Sequence, residues 1–101
     1  MTDSEAEYTR VGHHISGAEQ SQMFGKPCFK TGGKAFVSYF QDAMVFKLTG
    51  DAHTRALALD GAQLFDPSGK GRAMKEWVQV PFAYKDLWPE LASAARQYIG
   101  G

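Results

Sequence analysis

Between Gln20 and Leu48 the chain consists of short runs rich in Phe, Val and Tyr, divided by breaks at Gly25-Lys26, Gly32-Gly33 and Asp42-Ala43. Runs of that kind, separated by glycine and aspartate, form strands joined by tight turns, so this part of the chain reads as an antiparallel meander. A two-residue hairpin at Gly32-Gly33 pairs Thr31 with Lys34, Phe29 with Phe36 and Cys28 with Val37. A turn at Asp42-Ala43 pairs Gln41 with Met44, Tyr39 with Phe46 and Val37 with Leu48. Residues directly opposite share a face. One face then collects Cys28, Ala35, Val37, Tyr39, Met44, Phe46 and Leu48 and is expected to be the core side. The other collects Phe29, Phe36, Phe40 and Val45 beside Thr31, Lys34, Ser38 and Lys47. That face is too aromatic to lie bare and too basic to be fully buried, so Phe29, Phe36 and Phe40 are candidate interface residues. The expected cover is the N-terminal helix or a second copy in a homodimer.

Helical signals flank the meander. Ser4-Glu5-Ala6-Glu7 matches a capping box, and Tyr8, Val11 and Ile15 follow at helical spacing, which predicts a short amphipathic helix over about residues 4–14. Gly12 counts against it by about 1 kcal/mol relative to alanine. Asp51 can cap a middle helix over about residues 52–60, closed by Gly61. Glu76–Val80 alternates as a further strand ended by Pro81. Trp88, Leu91, Ala92, Ala95, Tyr98 and Ile99 form one helical stripe, with Pro89 suited to a first turn and Gly100 to a stop. The expected architecture is α+β: a meander of about five strands packed against a C-terminal helix and a short middle helix, with a short N-terminal helix. All of it fits one domain over residues 1–101, with 1–18 as helix and lead-in and 19–101 as core.

Composition sets the class. With 44% hydrophobic, 13% aromatic and 22% charged residues the chain is globular rather than disordered. Cys28 stands alone, which excludes an internal disulfide and a paired-cysteine metal site and suits a reducing cytoplasm. Asp3, Glu5 and Glu7 occupy the place where a secretory signal carries positive charge, and no apolar run approaches the roughly 20 residues that span a bilayer. A cytoplasmic protein with no membrane partner is expected. The formal net charge of +0 gives no global reason to bind nucleic acid.

Local features are weighed against that background. Successive N–H groups around Gly69 and Gly71, flanked by Lys70 and Arg72, could form an anion nest in Pro67–Ala73. It is not a Walker loop, because Leu64 stands at the first glycine position and Gly71 where Ser or Thr is required. The competing reading is a structural turn that aims Trp77 into the core. His13 and His14 diverge by about 100° on a helix and His53 lacks a ligand-spaced neighbour, so surface histidines and no metal are expected. Cys28 could be activated by Lys26 and Lys30, but its strand side is apolar and a buried structural thiol is the better fit. The carboxylates are scattered rather than paired, Trp77 and Trp88 read as core anchors, and no catalytic or cofactor motif is present.

Three segments together carry a family likeness: Met23-Phe24-Gly25-Lys26-Pro27-Cys28-Phe29, Gly33-Lys34-Ala35-Phe36 and the stretch from Phe65 to Pro81. From about Gln22 to Tyr98 the chain resembles the N-terminal domain of the TfoX (Sxy) competence regulators of bacteria, with the MmcQ/YjbR-like domains as looser kin. Ala73 stands where such proteins often carry proline. The resemblance implies a non-enzymatic regulatory module without a cofactor, linked to natural competence and acting through a protein partner or self-association. The alternative is a weak nucleic-acid or anion binder using Lys70, Arg72 and Lys75, joined by Lys34 and Lys47.

Overall fold

The computed structural model describes residues 2–23, 25–66, 71 and 73–100. Helix α1 (Asp3–His13) precedes strands β1 (Glu19–Met23), β2 (Lys26–Thr31), β3 (Lys34–Phe40) and β4 (Ala43–Lys47). Helix α2 (Gly50–Leu57), strands β5 (Gln63–Phe65) and β6 (Met74–Pro81), a 3-10 segment (Phe82–Leu87) and helix α3 (Trp88–Gly100) follow. The fold is α+β. Its six strands form one open antiparallel sheet in the order β1-β2-β3-β4-β6-β5. The first four strands are the meander. The connection through α2 then carries the chain to the far edge, where β5 returns through β6 beside β4. Strand β5 leaves no mark in the sequence pattern, because three residues are too few to show alternation.

The register departs from expectation at one point, and the departure redistributes the aromatic rings. Thr31 stands opposite Lys34 and Lys30 opposite Ala35, but a bulge follows, after which Phe29 faces Val37 and Cys28 faces Ser38. Phe36 is the extra residue. A slip of one residue inverts every side chain beyond it. Phe29 and Phe36 therefore join Val37, Met44, Phe46, Val78 and Val80 in the core beneath the helices, both at 0% exposure. Their placement on an outer face is thus corrected. Cys28 in turn shares the opposite face with Ser38, and Ala35 packs there beside Val45. Each such ring is worth about 1.5–3 kcal/mol when fully buried, enough to hold the slipped register.

The next turn also shifts by one residue. Phe40 pairs with Ala43 and Tyr39 with Met44, so the turn is Gln41-Asp42, with φ of 49° and 62° at the two positions. Two consecutive left-handed residues make the turn type whose twist suits a hairpin. The shift of one at the turn leaves Val37, Tyr39, Met44, Phe46 and Leu48 on the core side as expected.

Helix α1 is capped by Thr2, whose hydroxyl accepts from the Glu5 N–H, rather than by Ser4. Ser4 is buried instead, donating to Asp42 Oδ1 at 2.8 Å and lying 2.7 Å from the Tyr39 hydroxyl. This staple ties α1 to the Gln41-Asp42 turn. The middle helix begins earlier than expected, after Thr49, and ends at Leu57 with Ala58 as its C-cap, short of Gly61; Asp51 lies not at its cap but in its first turn, where a carboxylate complements the helix dipole. In α3 the buried residues are Trp88, Leu91, Ala92 and Ala95, as the stripe predicts, while Tyr98 emerges into solvent. Among the described residues no helix is long and apolar enough to cross a membrane.

On the face away from the helices a second cluster forms from Val45, Phe65 and Trp77, with Met23, Ala35, Phe40 and Met74 against it. A register shift between Leu64 and Phe65 brings Phe65 to this side. Trp77 is buried, so both tryptophans act as core anchors, one in each cluster.

Candidate interaction surfaces

The lysines singled out from the sequence begin at the strand ends. Lys34 opens β3, Lys47 closes β4 and Lys75 lies near the start of β6. These strands are neighbours and run antiparallel, so all three lysines reach the same end of the sheet, joined by Lys30 of β2. Lys34 and Lys75 are exposed, and Lys47 is half-buried opposite Trp77. Lys70 and Arg72 lie outside the described residues. Carboxylates share this end: Glu19 pairs across from Lys30, Asp51 follows β4, Asp66 follows β5, and Glu76 sits in β6. Four described lysines against four carboxylates sum to no net charge, whereas attraction of a polyanion needs an excess of one sign.

The three phenylalanines do not form a surface. Phe29 is enclosed by Tyr8 at 5.3 Å and His13 at 5.4 Å between ring centroids, both from α1. Phe36 is fully buried. Phe40 is half-buried, with Phe65 edge-on at 5.4 Å and the Lys26 ammonium 4.9 Å from its centroid. The N-terminal helix covers Phe29, but on the core face rather than on the outer face where cover was expected.

Cys28 is 1% exposed, and burial pushes its thiol pKa up against a smaller opposing pull from Lys30. A neutral, enclosed thiol is a poor nucleophile. His14 Nδ1 donates to the Arg10 carbonyl at 2.7 Å and His53 Nε2 to the Lys75 carbonyl at 2.8 Å, so each uses one ring nitrogen on backbone. No group of three His, Cys, Asp or Glu side chains fit for a metal ion occurs among the described residues.

The surface that sequence reasoning missed is the seam between α2 and α3. The helices run antiparallel, Ala56 near Leu91 at one end and Ala52 near Ala94 at the other. Two hollows open along the seam. One, of about 190 Å³, is lined by Arg55, Ala56, Leu59, Leu87, Glu90 and Leu91. The other, of about 250 Å³, is lined by Leu48, Thr49, Ala52, Ala94, Gln97 and Tyr98. Leu87 at 37% and Tyr98 at 38% are the large apolar side chains most exposed among the described residues, and each lines one hollow. The signal was present in the sequence: Leu87, Leu91, Ala94 and Tyr98 recur at spacings of four, three and four. Leu87, at the end of the 3-10 segment, leads into a second stripe of Leu91, Ala94 and Tyr98 on α3, offset from the one that fills the core. The Tyr98 hydroxyl donates to the Glu76 carboxylate, which pins the end of α3 to β6.

Comparison with family models, with curated proteins and with solved structures returns no match.

Proposed function

We propose that the chain is a non-catalytic regulatory module of the TfoX N-terminal type that works through protein contacts. The observation that carries this reading is the α2–α3 seam, where apolar floor and exposed Leu87 and Tyr98 coincide on one face. Leu87 and Tyr98 each stand partly exposed beside a hollow edged by polar side chains, and a protein contact along the seam would cover both. A role in bacterial competence regulation, in the cytoplasm, is part of the same proposal and follows from the family resemblance.

One observation favours a second reading, the binding of a phosphate-bearing polymer: Lys34, Lys47 and Lys75 occupy the same end of the sheet. The carboxylates beside them weigh against it. Fluorescence anisotropy with a labelled DNA duplex separates the two. Three phosphate contacts would give a log–log salt slope of about −2.7, and replacing the three lysines with glutamate would abolish binding. The protein-contact reading predicts no salt-sensitive binding at micromolar protein near physiological ionic strength. Tight binding lost in the triple variant overturns it.

A further inference from the structure

Building on the protein-contact reading, we infer that the α2–α3 seam is a self-association surface, joining two copies of this chain about a two-fold axis. Its exposed apolar residues are divided between the two ends, Leu87 at one hollow and Tyr98 at the other, so a second seam laid across it covers both. Charge identifies the occupant. The first hollow is rimmed by Arg55 on α2 and Glu90 on α3, both exposed, and neither forms an ion pair with another described residue. In a two-fold interface a patch meets itself, so residue i contacts j while j contacts i. A rim of one sign would repel its own copy, whereas one arginine and one glutamate on different helices supply two reciprocal Arg55–Glu90 pairs. The formal net charge of +0 adds no repulsion between copies.

The crease between α3 and the turn that follows α1 provides a contrast. It is lined by His14, Ile15, Ser16, Ser93, Arg96 and Gln97, with one arginine and no carboxylate, and is not complementary to itself. Size sets the strength of the seam contact. Helix α3 spans about 20 Å and α2 about 12 Å, each about 10 Å wide, a footprint under half of the ~800 Å² that each partner buries in a stable complex. An interface this small falls in the class of weak, transient contacts.

Sedimentation velocity over a rising concentration series tests this, using the wild type, Arg55→Glu, Glu90→Arg and an equimolar mixture of the two variants. Both positions are exposed, and circular dichroism verifies that each variant is folded. The wild type is expected to move from monomer to dimer, and each variant alone to remain monomeric, because like charges then face each other. The mixture is expected to regain the dimer, since the glutamate introduced by Arg55→Glu in one copy meets the arginine introduced by Glu90→Arg in the other. A wild type that stays monomeric, variants that associate unchanged, or a mixture that fails to recover overturns the inference. A monomer leaves the protein-contact reading standing, because the DNA titration tests that reading separately.

Discussion

The ring of Phe29 lies so close to Gly12 that a β-carbon on the glycine would stand 2.1 Å from its Cε2 and 2.3 Å from its Cζ. The glycine that weakens α1 as an isolated helix is the one that lets α1 settle on the sheet. The Phe29 ring cannot give way, being at 0% exposure beside Tyr8 and His13.

Gly12→Ala sets two effects against each other. Helix propensity gains about 1 kcal/mol, while overpacking of a closed core costs about 1–3 kcal/mol and more where backbone must move. We expect a net loss of up to about 2 kcal/mol in urea denaturation, largely recovered when Phe29→Leu is added. A variant more stable than the wild type contradicts the packing of α1.

Tyr8 is expected to lower stability at alkaline pH. Its ring packs between Phe29 and Tyr39, and its buried hydroxyl has no hydrogen-bond partner among the described residues. Burial raises its pKa far above the ordinary 10.0, so the native state keeps the phenol neutral where the unfolded chain ionises. A raised native pKa stabilises fully below the unfolded value and loses that contribution as pH climbs above it. Cys28 is raised for the same reason from 9.0, so the decline begins near that pH. Tyr8→Phe should flatten the decline, measured as denaturation midpoints across the alkaline range. At neutral pH it should match or exceed the wild type by up to about 1 kcal/mol, since an unsatisfied hydroxyl is removed. An unchanged alkaline slope contradicts this assignment.

The Gln41-Asp42 turn predicts opposite outcomes at adjacent positions. Gln41 holds φ of 49° without a side-chain reason, so Gln41→Asn should stabilise by about 0.5 kcal/mol. Asp42, at φ of 62°, would relax as glycine, but its Oδ1 accepts from Ser4 at 2.8 Å and from Tyr39 at 3.0 Å. Hydrogen bonds to a charged group are worth about 1.5–3 kcal/mol each, more than the turn gains, so Asp42→Gly should destabilise. Amide exchange in α1 should accelerate in that variant. Equal stabilisation at both positions would show that the staple does not form.

Cys28 is expected to react slowly with a thiol reagent, because the thiol is 1% exposed and its ionisation is suppressed by burial. Labelling of native protein as fast as that in denaturant contradicts the strand placement.

The turn at Gly32-Gly33 and the C-terminal stripe were legible because glycine pairs and helical spacing are local signals. The bulge was not. Phe and Val occur on both faces of β2 to β4, so a slip of one residue leaves the apolar pattern nearly unchanged and only tertiary packing against Gly12 and Tyr8 selects it. Cys28 is buried in either register, which is why its enclosure survived the error in its face. The lysines could be identified but not balanced, because Glu19, Asp51 and Asp66 come from three other elements or their ends. The seam was hidden by overlap: Leu91 and Tyr98 belong to both stripes of α3, and the core stripe accounts for them first.

The central claim, that contacts are made through the helix layer rather than the lysine end of the sheet, is tested most directly by amide chemical shifts followed against protein concentration. Shifts are predicted at Arg55, Leu59, Leu87, Glu90 and Tyr98, with Lys34, Lys47 and Lys75 unmoved. Concentration-dependent shifts confined to those lysines and their strand ends would contradict the account, and none anywhere would contradict self-association through the helix layer.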